Sequence, residues 1–302
     1  MLHRDAQPSL LRYLRVAADP GTADDVARPL LASCHQVSRS PFLVPGPGTG
    51  DPRDVTAPID LPYTDHGEGS AVVLLHAVGD SRRAFLPLLE HLPAGHRYLA
   101  PDMRGHGDAA SPETGYAVGD FAADVVSFLD RRGLDHVTLV GSSSGGLVAQ
   151  RVAADHPERV SQLVLVGAPH SLQDVVLPEE LRRLTDPMDA DVVRGFTTML
   201  THRPLPEALV EAAVSDGLRV AAHVWLATLE GLVSEPPPSQ RATIQAPTLV
   251  LWGEYDGVLA RSQAEALVRD IKGARLVVLS DTGHLPLWEC PRAVAAEIAA
   301  FI

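Results

Sequence analysis

From residue 59 onward, short, strongly apolar runs alternate with longer segments whose apolar positions recur at helical spacing. The apolar runs are Ala71–His76, Arg97–Pro101, Val137–Gly141, Leu163–Gly167, Thr248–Gly253 and Arg275–Ser280, rich in Val and Leu and set off by turn-forming residues. Such near-continuous apolar character is what a strand buried on both faces requires. Between them, Arg82–His91, Val118–Arg131, Ser144–Asp155, Arg261–Ile271 and Arg292–Phe301 read as helices. The pattern predicts an α/β fold, a mostly parallel central sheet with helices on both faces.

The rhythm breaks twice. Between Pro169 and Ala246 the pattern offers helix-like segments at Glu179–Leu184, Asp189–Leu200, Glu207–Leu218 and Val220–Val233 but no convincing strand, and it ends in Glu235, Pro236, Pro237 and Pro238. An insertion of that size predicts a helical cap, residues 170–245, over one end of a core made of residues 59–169 and 246–302. Residues 1–58 form an N-terminal extension, with short helices expected near Leu10–Val16 and Asp24–Cys34 and a Pro/Gly linker from Pro45 to Pro52. The GPGTG run there is no phosphate loop, because no Lys followed by Ser or Thr comes after it.

Composition narrows the classes. A chain of 302 residues that is 45% hydrophobic can bury a full core. The net charge of −13 disfavours nucleic acid and anionic membranes as partners. No apolar stretch reaches the roughly 20 residues that a membrane span needs. Arg4, Asp5, Arg12 and Arg15 interrupt any signal-peptide core, so a cytoplasmic protein is expected. Cys34 and Cys290 are far apart and lack a CxxC partner, which predicts free thiols. His170, His202 and His223 lack metal-ligand spacing, and neither a metal nor a cofactor is expected.

The chemistry gathers at strand ends. Val137–Gly141 runs into Ser142, Ser143, Ser144 and Gly145, a GxSxG pattern in which Ser143 is the candidate nucleophile of a strand-to-helix elbow. A serine hydroxyl needs a base, and the base needs an orienting carboxylate. His284 follows the run Arg275–Ser280, and Asp256 follows Thr248–Gly253, with Glu254 as a nearby competitor. In an open α/β sheet these positions share the carboxyl edge of the strands. The backbone N–H of Ser144, and that of Val78 in the loop after Ala71–His76, are the candidate oxyanion donors. His76 and His106 read as structural, with Asp102 and Arg104 fixing the loop around His106.

Five motifs stand in one order: His76–Gly79, similar to HGxG with Ala77 in place of its glycine; DMRGHG at 102–107; GSSSG at 141–145; WGEYD at 252–256; and Gly283–His284 followed by Pro286, Trp288, Glu289 and Pro291. In these the chain from about Ile59 resembles the α/β-hydrolase superfamily, in its capped esterase and haloperoxidase-like branch. That resemblance implies an α/β-hydrolase fold with a helical cap inserted after the sixth strand. It also implies cleavage of a carboxylic ester or lactone through an acyl-enzyme on Ser143, His284 and Asp256. Perhydrolase or acyltransferase chemistry on the same triad, or a slow-turnover small-molecule receptor, are the alternatives. Phe196, Met199, Leu200, His223, Trp225 and Leu229 are the candidate pocket residues of the cap, and an apolar pocket would favour small to medium acyl groups.

Overall fold

The structure, a computed structural model, describes residues 57–302. The expected N-terminal helices, the Pro/Gly linker and Cys34 lie outside the described residues. Cys290 is a free, partly buried thiol.

The described residues form a seven-stranded sheet in the order β1-β3-β2-β4-β5-β6-β7. The strands are β1 (Tyr63–Gly67), β2 (Ser70–Leu75), β3 (His96–Pro101), β4 (Val137–Ser142), β5 (Val160–Val166), β6 (Thr248–Gly253) and β7 (Arg275–Leu279). All neighbours pair in parallel except β1, which runs antiparallel along β3. Each predicted apolar run is a strand, shifted by at most three residues at an end. Strand β1 escaped the pattern because it is an edge strand whose Asp65, His66 and Gly67 face solvent, so no apolar alternation marks it.

Successive strand residues feed two apolar layers. Val73, Leu75, Leu99, Leu139, Leu163 and Val250 pack in one, with the helices Val118–Arg131, Ser144–Asp155 and Arg261–Asp270. Val72, Leu74, Val140, Val164 and Leu251 pack in the other, with Phe85, Leu88 and the helix Pro291–Ala299. Burying one such Val or Leu is worth about 1.5–3 kcal/mol, and the strands are apolar throughout because both faces are covered.

The helical segment follows β5, not a sixth strand: among the described residues five strands precede it, since only β1 lines the antiparallel edge. Its main helices are Ala190–Met199, Glu207–Gly217 and Ala222–Ser234. Polar clasps tie it to the sheet-bearing part. Ser81 Oγ donates to Asp216 Oδ2 at 2.7 Å and Arg83 pairs with the same carboxylate. Arg219 reaches Asp108 at 2.5 Å, and Arg151 reaches Glu235 at 2.6 Å.

Because the central strands are parallel and in register, they end along one line. Leu75 lies beside Gly141, Ser142 beside Val166, Val166 beside Leu251, and Gly253 beside Leu279. The loops after β2, β4, β6 and β7 therefore converge at one edge of the sheet.

Candidate active site

Strand β4 turns into the helix Ser144–Asp155 within one residue, and that residue is Ser143. Its backbone sits at φ 47°, ψ −119°, a conformation costly for a side chain other than glycine. Its neighbours must be bare: a Cβ on Gly141 would lie 2.5 Å from the Gly145 carbonyl oxygen, and one on Gly145 2.4 Å from that of Leu75. The GxSxG spacing is thus a packing requirement of the elbow. The elbow lifts the Ser143 side chain to the helix N-terminus, where the first N–H groups have no intrahelical acceptor.

The loops bring the three widely separated residues together. Ser143 Oγ lies 2.8 Å from His284 Nε2. His284 Nδ1 lies 2.8 Å from Asp256 Oδ2. An ionised carboxylate can only accept, so Nδ1 carries the proton and Nε2 is left to accept from the serine hydroxyl. The side chains of His284 and Asp256 are 2% and 0% exposed, which keeps water from competing for their hydrogen bond. The other Asp256 oxygen accepts from the N–H groups of Val258 and Leu259, both at 2.9 Å. Glu254 does not reach the imidazole; it accepts from the Asp281 N–H at 3.2 Å and faces solvent.

Val78 and Ser144 also meet here. The Val78 N–H donates to Ser144 Oγ at 2.8 Å, so this hydroxyl engages the donor. The Val78 loop is built from the inside. His76 donates from Nδ1 to the Ala77 carbonyl at 2.8 Å and accepts the Met103 N–H at Nε2, 2.9 Å away. Burial pushes its pKa down to about 4, and burial pushes that of His106, whose Nδ1 donates to the Arg104 carbonyl, down to about 3. Both rings are neutral scaffolding. Burial also raises the Asp80 carboxyl to about 7, against the pull of the Ala77 backbone hydrogen bond. Gly79 at φ +82° has no room for a side chain, since a Cβ would stand 2.2 Å from the Trp225 ring. Asp102 and Arg104 fix the neighbouring loop through partners other than each other. Asp102 accepts from the Arg82 and Asp108 N–H groups, and Arg104 forms a two-pronged pair with Asp124 at 2.6 and 2.7 Å.

Glu289, a motif residue with no role expected from the sequence, organises the loop around His284. One carboxylate oxygen accepts from Gly283 N–H at 2.9 Å; the other accepts from His202 and Arg203 N–H at 2.9 and 3.1 Å. Burial raises its pKa, opposed by those three donors. The backbone N–H of His284 itself donates to the Leu200 carbonyl at 3.0 Å. The imidazole loop is therefore strapped to the segment that leaves the helix Ala190–Met199. The one advance signal was a carboxylate five residues after His284 in an otherwise apolar turn.

Ser143, Ser144, Val78 and His284 line one part of a cavity of about 1010 Å³, whose remaining wall includes Phe196, Met199, Leu200, Trp225 and Leu229. That volume exceeds what small acyl groups need. His223, expected with this set, lies elsewhere: its ring meets Tyr116 edge-on and its Nε2 stands 3.2 Å from the Pro112 carbonyl. Helical phase turns it away, since it is only two residues from Trp225. Among the described residues no three His, Cys, Asp or Glu side chains are grouped as a metal site, and no helix is long and apolar enough to cross a membrane.

Comparison with known proteins agrees with this architecture. Residues 70–215 match the family described as the alpha/beta hydrolase fold. An esterase from Exiguobacterium antarcticum superposes with a TM-score of 0.71 at 25% identity, over 80% of this chain and 94% of that one. Est816, described as an N-acyl homoserine lactone degrading enzyme, superposes with a TM-score of 0.68 at 26% identity, over 81% of this chain and 97% of that one. A 2-hydroxy-6-oxononadienedioate/2-hydroxy-6-oxononatrienedioate hydrolase of Klebsiella pneumoniae is 29% identical over 246 residues, 74% of this chain and 84% of its own length.

Proposed function

This chain belongs to the α/β-hydrolase superfamily, and we propose that it is a serine hydrolase that cleaves carboxylic esters or lactones through an acyl-enzyme. The observation that carries the proposal is the unbroken relay Ser143 Oγ, His284 Nε2, His284 Nδ1, Asp256 Oδ2, with 2.8 Å at each hydrogen bond, opening on an apolar cavity. In this reading residues 170–245 are the cap and residues 59–169 and 246–302 the catalytic core.

Ser143 attacks the carbonyl carbon while His284 takes its proton, and Asp256 stabilises the imidazolium and holds its ring orientation. The oxygen that gains charge binds the Ser144 N–H at the start of the helix and the Val78 N–H. To free the latter, the Ser144 hydroxyl, its acceptor at 2.8 Å, must give way to the substrate oxygen. His284 then returns the proton to the leaving alkoxide. Water, activated by the same imidazole, attacks the acyl-enzyme, and the collapse of that second tetrahedral intermediate releases the acid and restores Ser143.

The test is hydrolysis of a chromogenic ester series by the wild type, Ser143→Ala and His284→Ala. Each substitution should lower kcat by on the order of 10⁴–10⁶ without unfolding the protein. Folded variants that hydrolyse the esters as fast as the wild type would sink the proposal.

A further inference from the structure

The cavity says more than that an ester fits. At about 1010 Å³ it sits at the upper end of the roughly 300–1,000 Å³ usual for small-molecule sites. Its apolar wall includes Met188, Val193, Phe196, Trp225, Leu229 and Leu232. Four of these, Met188, Val193, Trp225 and Leu232, are buried. Such a wall gains from every methylene it takes out of water, and it offers nothing to a charge.

The ionisable residues that also line the cavity are Glu179, Glu180, Arg182, Glu230 and His284. His284 is committed to Ser143 and Asp256. Arg182 is the one guanidinium or ammonium on this wall among the described residues, and it is already engaged, 2.7 Å from Glu179 and 3.7 Å from Glu230. It is also half exposed, as are its partners, which places this polar group at the mouth. With Glu180, the cavity lining carries three Glu carboxylates against one cation. The mouth continues in apolar residues, with Val175 46% and Val176 90% exposed.

From this distribution we infer that the substrate is an uncharged ester or lactone with a long or bulky apolar acyl group, and that acyl groups ending in a carboxylate are rejected. The inference rests on the serine-hydrolase reading above. A carboxylate at the far end of the acyl group would meet either an apolar wall or an acidic rim, with no unpaired cation to replace its lost hydration. An apolar chain of the same length would pack against that wall and gain from each methylene it buries.

The test uses the wild-type protein and p-nitrophenyl esters below their aggregation concentrations. The series is acetate, butyrate, hexanoate, octanoate and decanoate, with the p-nitrophenyl half-ester of decanedioic acid and the methyl ester of that half-ester. A fluorophosphonate probe reports in parallel whether Ser143 is a reactive nucleophile. We expect kcat/KM to rise about fourfold per methylene over the first several carbons. The half-ester should react on the order of 10²-fold or more slowly than its neutral methyl ester, which isolates the charge from the length. A half-ester within a few fold of its methyl ester, or an acetate faster than decanoate, would overturn the inference while the labelled Ser143 left the serine-hydrolase reading standing. If no ester is turned over and the probe leaves Ser143 unlabelled, both readings fall.

Discussion

Replacing Glu289 by glutamine should slow catalysis although the residue touches neither Ser143 nor the imidazole ring. Its carboxylate gathers three backbone N–H groups, those of Gly283, His202 and Arg203, at 2.9, 2.9 and 3.1 Å. Glutamine can offer one oxygen. If that oxygen serves His202 and Arg203, the amide NH₂ faces the Gly283 N–H, and the residue next to His284 loses its tether. If it serves Gly283, the two donors on the opposite strap are lost. A hydrogen bond to a charged acceptor is worth about 1.5–3 kcal/mol, and the bonds that survive become neutral and about half as strong. Relief of the burial that raises the Glu289 pKa offsets part of this. A net destabilisation of about 2–4 kcal/mol follows. In the reaction, a base displaced by about 1 Å costs up to about 10²-fold. We expect Glu289→Gln to lower kcat by about 10- to 10²-fold with KM within about twofold, because Glu289 itself does not line the cavity. Glu289→Asp, which keeps the charge on a shorter arm, should recover part of kcat. The assay is full kinetics on one neutral ester, with the phosphonylation rate of Ser143 as a second readout and thermal melting as a control for folding. A Gln variant that melts earlier but keeps kcat within twofold of wild type would refute the positioning role and leave Glu289 a purely structural anchor.

Two further expectations concern the scaffold. Asp124→Asn leaves Arg104, itself 1% exposed, without its two-pronged partner; unfolding in urea should show a loss of about 3–5 kcal/mol, and a loss under 1 kcal/mol would mean the pair is not needed. His76 and His106 are held neutral with folded pKa values of about 4 and about 3, below the ordinary 6.5, so the stability they lend is fully present above pH 6.5 and is lost as pH falls through that window towards those values. Ring ¹⁵N spectra at pH 5.5 should show both as neutral tautomers, and either ring titrating near 6.5 would contradict their burial.

The sequence by itself marked six of the seven strands and put Ser143, Asp256 and His284 forward as candidates. Apolar runs mark β2 to β7 because parallel strands covered on both faces must be apolar throughout, and that demand is local to each strand. GxSxG is legible by its spacing, although only Gly141 answers to near neighbours, Gly145 and Gly146; Gly145 must be bare because the Leu75 and His76 carbonyls of the adjacent strand and its loop approach it. The order of Ser143, Asp256 and His284 at strand ends was legible because each follows an apolar run. Tertiary structure decided what depends on neighbours distant in the chain. It placed the polar edge strand β1, whose existence rests on pairing with β3 and not on burial. It chose Asp256 over Glu254, two residues apart, by the direction in which each side chain leaves the turn. It turned Trp225 into the cavity and His223 out of it, a matter of helix rotation against the core. It also joined Glu289 to Gly283 and to His202 and Arg203, residues more than eighty positions away, through hydrogen bonds whose partners no local pattern announces.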